Sequence, residues 1–447
     1  MEDPGMLFRG KRITVMGLGL LGRGLGDALF FIRCGAEVTV TDLKTPEELA
    51  PSLEKLKGLP CRLRLGEHHP DDFVNTDMVL RNADVPKSSK FLKLARDNGI
   101  PVEMDESLFC RHFPGRVVGI TGTRGKTTTT MIIHGILSAY LPGRVHLGGN
   151  VMGLATLPLL ETAAPMDTVV LELSSWQLQG FHDAKLSPAA SVFTNIHPDH
   201  LNRYSGMEEY IDDKKAVYRY QKNGDFCLFN GEQPETAMLA EEAPGEAAFF
   251  SSDLIPPDWM ITLPGRHNRE NVAAALGLTR RLGVPDASAR SFVEKFRGVE
   301  HRLQWLGDKD GIGFVNDSTS TTPVAGCMAL EAFGHRTILL IAGGADKKLD
   351  LTPFARAAAA SARRIALLEG TAAESLYGSL VREGAEEKIT GRYTDLEKAV
   401  KDLLKEAVPG DVVLLTPGCA SFGMFRNEYD RGDQFMAIVQ GLLGKRA

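Results

Sequence analysis

Cysteine is scarce and scattered. Six occur in 447 residues (Cys34, Cys61, Cys110, Cys227, Cys327 and Cys419), no two close enough to form a zinc knuckle or a redox pair. That argues against a thiolate metal site and a disulfide framework, and fits reduced thiols in the cytosol. Long hydrophobic runs are also missing: stretches such as 28–32 and 337–342 fall far short of the roughly 18 apolar residues a membrane span needs. The first residues carry Glu2, Asp3, Pro4 and Gly5 where a secretory leader would be basic and then apolar. Nor is there an excess of basic charge. Lys and Arg number 51 against 57 Asp and Glu, a net charge of −6, which speaks against nucleic acid or an anionic membrane as a partner. What remains is a globular balance, 43% hydrophobic and 24% charged, in a chain long enough for two to four domains of about 100–200 residues each. The expectation is a cytoplasmic protein without a membrane span.

Short β-branched runs recur, each ending in a Gly-rich or acidic turn and followed by a helical pattern, the signature of parallel α/β units. This happens in three blocks. The first has strands at 13–16 and 38–40 and fades near His112-Phe113-Pro114-Gly115. A second has strands at 117–120, 168–173 and 190–195, a helix from Thr129 to about Tyr140, and a helix at 268–282 before a hinge at Phe296-Arg297-Gly298. Within it, 232–247 is rich in Pro, Ala and Glu and reads as a surface excursion. The third has strands at 314–316, 338–342, 365–368 and 412–416 and an Ala-rich helix around 354–362. The expected domains are 1–115, 116–299 and 300–447. The fold class is α/β, with Rossmann-like terminal domains around a central P-loop ATPase domain whose sheet is mostly parallel.

Two Gly-rich turns stand out. Gly17-Leu18-Gly19-Leu20-Leu21-Gly22 joins a strand to a helix, and Asp42 ends the next strand twenty residues on. Such a turn admits a diphosphate against the backbone while the acid accepts from a ribose or base. Alone it would suggest a dinucleotide oxidoreductase. Gly122-Thr123-Arg124-Gly125-Lys126-Thr127-Thr128 is the stronger signal: its amides can wrap phosphate oxygens, Lys126 can neutralise them, and the Thr127 hydroxyl can face Mg²⁺. Strict P-loop spacing would put Gly where Ile120 stands, so the loop is a variant.

Further polar clusters follow strands. Glu172-Leu173-Ser174-Ser175-Trp176-Gln177 puts an acid where a P-loop enzyme completes its Mg²⁺ shell. Asn195-Ile196-His197-Pro198-Asp199-His200 offers imidazole and carboxylate, or only a capping Asp beside an inert His. Lys214 and Lys215 lie on a helix where solvated charge is the commoner explanation. Asn316-Asp317-Ser318, Gly343 to Lys347 and Gly418-Cys419-Ala420-Ser421 end strands of the third block and could converge on one pocket, with His301-Arg302 at the hinge.

Taken in order, these segments resemble the Mur ligases of peptidoglycan synthesis over nearly the whole chain. The match adds Gly148-Gly149-Asn150, Asp199-His200-Leu201, His267-Asn268 with Asn271, Asp350, and Ala420-Ser421-Phe422. The resemblance implies ATP and Mg²⁺ as cofactors, with UDP-N-acetylmuramoyl-L-alanine and D-glutamate as small-molecule substrates, and a monomer is expected. It places the UDP-sugar at Gly19, Leu20, Leu21, Asp42, Leu43, Asn150 and Ser174. It gives ATP the loop Gly122 to Thr128 with Asn268, Arg302 and Asp317, and the metal Thr127, Glu172, His200 and Lys214. Lys214, four residues after Tyr210, matches the family's carbamylated lysine, which would make Lys126, His200 and Lys214 catalytic. Thr321, Lys347 and Ser421 would face the amino acid. The chain departs from the family pattern at Arg124 (usually Asn), at Asn82-Ala83-Asp84-Val85-Pro86, and at Thr319, Gly423 and Glu428-Tyr429. Rival readings are another Mur-type or a folylpolyglutamate-type ligase, or a non-catalytic sensor of UDP-muropeptides.

Overall fold

A computed structural model of the chain describes residues 3–19, 22–151, 155–199 and 203–444. Three sheets account for the strands in it. The first comprises β1 (Arg12–Met16), β2 (Glu37–Asp42), β3 (Cys61–Leu65), β4 (Met78–Arg81) and β5 (Val102–Glu103). Their order is β3-β2-β1-β4-β5, all parallel. The order reverses at β1, so the turn after β1 opens at the crevice where parallel sheets take ligands.

The second sheet comprises β6 (Arg116–Thr121), β7 (Val145–Gly149), β8 (Thr168–Glu172), β9 (Ala190–Phe193), β10 (Phe226–Asn230) and β11 (Glu246–Phe250). It too is all parallel, in the order β11-β10-β9-β6-β8-β7. Here β6 is the reversal point, and the loop after it is Gly122 to Gly125. The helix following that loop runs Lys126–Tyr140, three residues earlier than the β-branched threonines suggest. Residues 232–247 do lie mostly at the surface, but as regular structure. They contribute the helix Pro234–Ala240, with Thr236, Leu239 and Ala240 buried, and open edge strand β11. The strand escapes notice in sequence because its outer residues are exposed, which favours a surface composition.

The third sheet comprises β12 (Gln304–Lys309), β13 (Ile312–Asn316), β14 (Ile338–Gly343), β15 (Ala362–Leu368), β16 (Ile389–Tyr393) and β17 (Val412–Leu415). Its order is β12-β13-β17-β14-β15-β16, with only the β12–β13 pair antiparallel. Period two sorts its apolar runs onto two faces: Ile338, Leu340, Val412 and Leu414 enter one core, Leu339, Ile341, Val413 and Leu415 the other.

The chain forms two compact units, one of Met1–Pro257 with Glu270–Val293 and the other of Asp258–Arg269 with Glu294–Ala447. One core runs through the first unit, joining Phe30, Phe31 and Phe109 to Phe181, Phe193 and Phe229. No helix among the described residues is long and apolar enough to cross a membrane.

Candidate active site

The loop after β6 is built for close backbone approach. Gly125 caps the following helix with φ of 79°, and a Cβ there would lie 2.1 Å from Asn271 Oδ1; only glycine meets both demands. Asn195 holds the outer strand of the loop, accepting from the Arg124 amide at 2.8 Å through its side chain and from the Thr123 amide at 2.9 Å through its carbonyl. Thr123 Oγ1 accepts from the His197 amide at 2.9 Å and lies 3.1 Å from the Tyr210 hydroxyl. The glycines and the strand-to-helix turn were legible in the sequence, whereas this brace was not.

Cations converge on the loop. Lys126 Nζ donates to the Gly122 and Thr123 carbonyls at 3.1 and 3.0 Å, and Lys214 Nζ donates to the Gly122 carbonyl at 2.8 Å. The Arg124 guanidinium pairs with Asp199 at 3.5 Å. Lys214 is almost wholly buried, with its ammonium position 4.7 Å over the Tyr210 ring. Burial, reinforced by the charge on Lys126, drives its pKa well below the ordinary lysine value. Thr127 lies half-buried in the first turn of the helix.

Glu172 ends β8 beside the loop strand, in register with Ile120. One carboxylate oxygen accepts from Asn150 Nδ2 at 3.1 Å, and the other, Oε2, is buried without a hydrogen-bond partner. An orphaned carboxylate oxygen beside a phosphate loop is the donor a hard cation needs, so the residues fit Mg²⁺. Ser174 caps the helix Ser175–Ala184 in a reciprocal capping box with Gln177, whose amide donates to buried Glu106. His200, assigned to the metal, lies outside the described residues, as do Leu20 and Leu21.

At the first Gly-rich turn, Asp42 Oδ2 accepts from the Gly19 amide at 3.1 Å and its other oxygen accepts from the Lys44 amide at 2.9 Å. The acid thus braces the loop. Leu43 beside it is 65% exposed, a large apolar side chain presented to solvent.

In the second unit, Asn268 Nδ2 donates to the Pro264 carbonyl at 2.7 Å, and Arg302 is half-buried in a turn whose neighbours His301 and Leu303 both have positive φ. Asp317 accepts from the Leu303 amide at 3.1 Å, from Thr416 Oγ1 at 2.9 Å and from Ser320, and burial pushes its pKa up to about 6. The three loops expected to converge do so. Gly418 N donates to the Ser320 carbonyl at 2.9 Å, and Ala345 and Ala420 exchange backbone bonds at 2.8 and 3.0 Å. Lys347 Nζ donates to Thr321 Oγ1 at 2.8 Å, and the Ser421 hydroxyl is buried with no partner. Sequence reading missed Arg431, wholly buried, whose guanidinium donates to Ser318 Oγ at 3.0 Å and to its carbonyl at 2.8 Å. A lone arginine on a helix carries no signal of burial.

Residues 120–253 match the Mur ligase middle domain and 301–419 the Mur ligase glutamate ligase domain. A UDP-N-acetylmuramoylalanine–D-glutamate ligase from Roseiflexus sp. is 40% identical, the alignment covering 97% of this chain and 99% of that one. This chain belongs to the Mur ligase family. It is accordingly an ATP-dependent ligase, which sets aside the oxidoreductase reading of the first turn. A similarly named enzyme from Symbiobacterium thermophilum is 34% identical, covering 97% and 98%. Among solved structures, the UDP-N-acetylmuramate–alanine ligase of Thermotoga maritima shares the fold with a TM-score of 0.62 at 20% identity, covering 97% of this chain and 100% of that one. The MurF ligase of Thermotoga maritima, solved with ADP, has a TM-score of 0.59 at 20% identity and covers all of both chains.

Proposed function

We propose that this Mur ligase joins D-glutamate to UDP-N-acetylmuramoyl-L-alanine through an acyl phosphate, releasing ADP and phosphate. The observation that carries the chemistry is the buried Lys214 amine on the Gly122 carbonyl, its pKa lowered by burial, beside a loop that holds Lys126. Once deprotonated, such an amine adds CO₂ to become a carbamate and puts an anion at the phosphate loop. The substrate choice is supported by full-length relatives of that name at 32–40% identity. It is also supported by the Lys347–Thr321 pair, a cation and a hydroxyl suited to a side-chain carboxylate.

In this reading residues 1–115 bind the UDP-sugar, 116–299 bind ATP, and 300–447 bind the amino acid. Lys126 leaves its two loop carbonyls for the transferring phosphoryl group and stabilises the charge spreading over its oxygens. The loop amides orient the phosphates for in-line attack by the acceptor carboxylate. Glu172, Thr127, His200 and carbamylated Lys214 would hold Mg²⁺, which when bound neutralises phosphate charge. Asn150 and Ser174 line the muramoyl group, and Asn268, Arg302 and Asp317 secure the nucleotide. Lys347, Thr321 and Ser421 orient the amino acid so that its amine meets the acyl phosphate.

Coupled phosphate release across UDP-muropeptide and folate acceptors and a panel of amino acids tests the whole proposal. Release needing both UDP-N-acetylmuramoyl-L-alanine and D-glutamate is expected. Faster ligation of a neutral or basic amino acid would overturn the substrate assignment, and no dependence on an acceptor would overturn the ligation reading. Lys347→Ala should raise the KM for D-glutamate about tenfold and leave that for ATP unchanged, since a charge-assisted contact is worth about 1.5–3 kcal/mol.

A further inference from the structure

Lys214 sits on the helix Met207–Lys215, and the segment that follows β4 grips that helix. Arg81, the last residue of β4, is 2% exposed; its Nε donates to the Val85 carbonyl at 2.9 Å and one terminal nitrogen donates to Gln179. Gln179 passes the contact on, donating to Asp213 Oδ2 at 2.6 Å. Lys87 pairs with Glu209 at 2.7 Å and approaches Asp213 at 3.7 Å. Arg203 Nη1 donates to the Asp84 carbonyl at 3.2 Å, and its guanidinium lies 5.0 Å over the Trp176 ring.

Glu209 and Asp213 are one turn apart and share a helix face, whereas Lys214 is rotated about 100° from Asp213. A cavity of about 170 Å³ borders Arg81, Gln179 and Asp213, so on that side the polar strap holds the helix, while Met207, Ile211 and buried Tyr210 pack its other faces. A small rotation would swing Lys214 off the Gly122 carbonyl. Residues 82–86 of this strap are where the chain departs from the usual family turn. The same strap touches the first Gly-rich turn, where Asn82 Nδ2 donates to the Gly17 carbonyl at 3.2 Å.

We infer that Arg81 and Lys87 are positioning residues for Lys214, acting through Gln179 and Asp213 to hold the helix at the rotation in which Lys214 can carry its carbamate. The inference rests on the carbamate reading above. The step is balanced: neutral Nζ attacks CO₂, an N–C bond forms, one C=O π bond becomes a carboxylate, and the amine proton leaves to solvent.

Titrating the full-length protein with ¹³C-bicarbonate and following the carbamate carbon by NMR reads the occupancy directly, with Lys214→Ala as the blank. Half-occupancy in Arg81→Met is expected at about tenfold more bicarbonate than in the wild type, and in Lys87→Met at about threefold more, with carbamate restored at saturation. A variant that had merely unfolded would not be restored. If Arg81→Met does not fold, Lys87→Met and Gln179→Leu decide the matter. A carbamate signal in the wild type with unchanged half-occupancy in every folded variant overturns the positioning role alone. No signal in the wild type at saturating bicarbonate overturns both this role and the carbamate reading.

Discussion

The turns after β1 and β6 share a plan: each follows the central strand of a parallel sheet at the point where strand order reverses, and each starts a helix from a left-handed glycine, Gly22 or Gly125. They differ in what stands behind the backbone. Behind the first is a carboxylate, Asp42, which takes the Gly19 amide. Behind the second are Lys126 and Lys214, both on loop carbonyls. Glycine spacing therefore fixes backbone shape, and the side chains behind it differ in chemistry. A carboxylate suits hydroxyl or ring N–H donors, and the Lys126 ammonium suits a polyphosphate, while Lys214 as a carbamate would suit its metal.

Lys126→Ala should break the contrast most severely, lowering ligation more than about a thousandfold while leaving thermal stability unchanged, because the side chain acts on transition-state charge. Steady-state rates at saturating Mg-ATP check this, and retained turnover would dissolve the distinction between the turns. Lys214→Ala should cost about a hundredfold and regain part of its activity with an added short carboxylate such as acetate. Rates with and without acetate decide whether that lysine serves as a carboxylate or only as a cation.

Gly125→Ala tests shape apart from charge. The added methyl meets Asn271 at a positive φ, so about 2 kcal/mol of stability should go, visible as a lower urea midpoint, together with weaker ATP binding. The mildest effect belongs to the first turn. Asp42→Ala should raise the KM for the UDP-linked acceptor about tenfold with the KM for ATP unaltered, and an equal rise in both would show that the two turns are not separate sites.

Features set by local sequence were the ones visible beforehand. The two glycine turns, Glu172 at a strand end and the apolar runs of β6, β8, β14 and β17 each declare themselves within a few residues. Exposed strands did not: β3, Cys-Arg-Leu-Arg-Leu, alternates cations with leucines on a half-wet edge, and β11 is mostly exposed. Lys214 was legible only through its spacing from Tyr210 in a known family, since nothing local marks a lysine among Asp212, Asp213 and Lys215 as buried. Arg81 and Arg431 are buried by chain segments far away in sequence, which no window of neighbours contains.

The first compact unit is discontinuous: the chain leaves it after Pro257 and returns at Glu270. The returning stretch supplies Val272, Ala273, Ala274, Ala275, Leu276 and Leu278, all fully buried, so a nascent chain paused at Pro257 lacks part of its own interior. On a ribosome moving at about 5–20 residues per second, this unit has to wait for Val293 to clear the exit tunnel, and by then the first strand of its neighbour is already following.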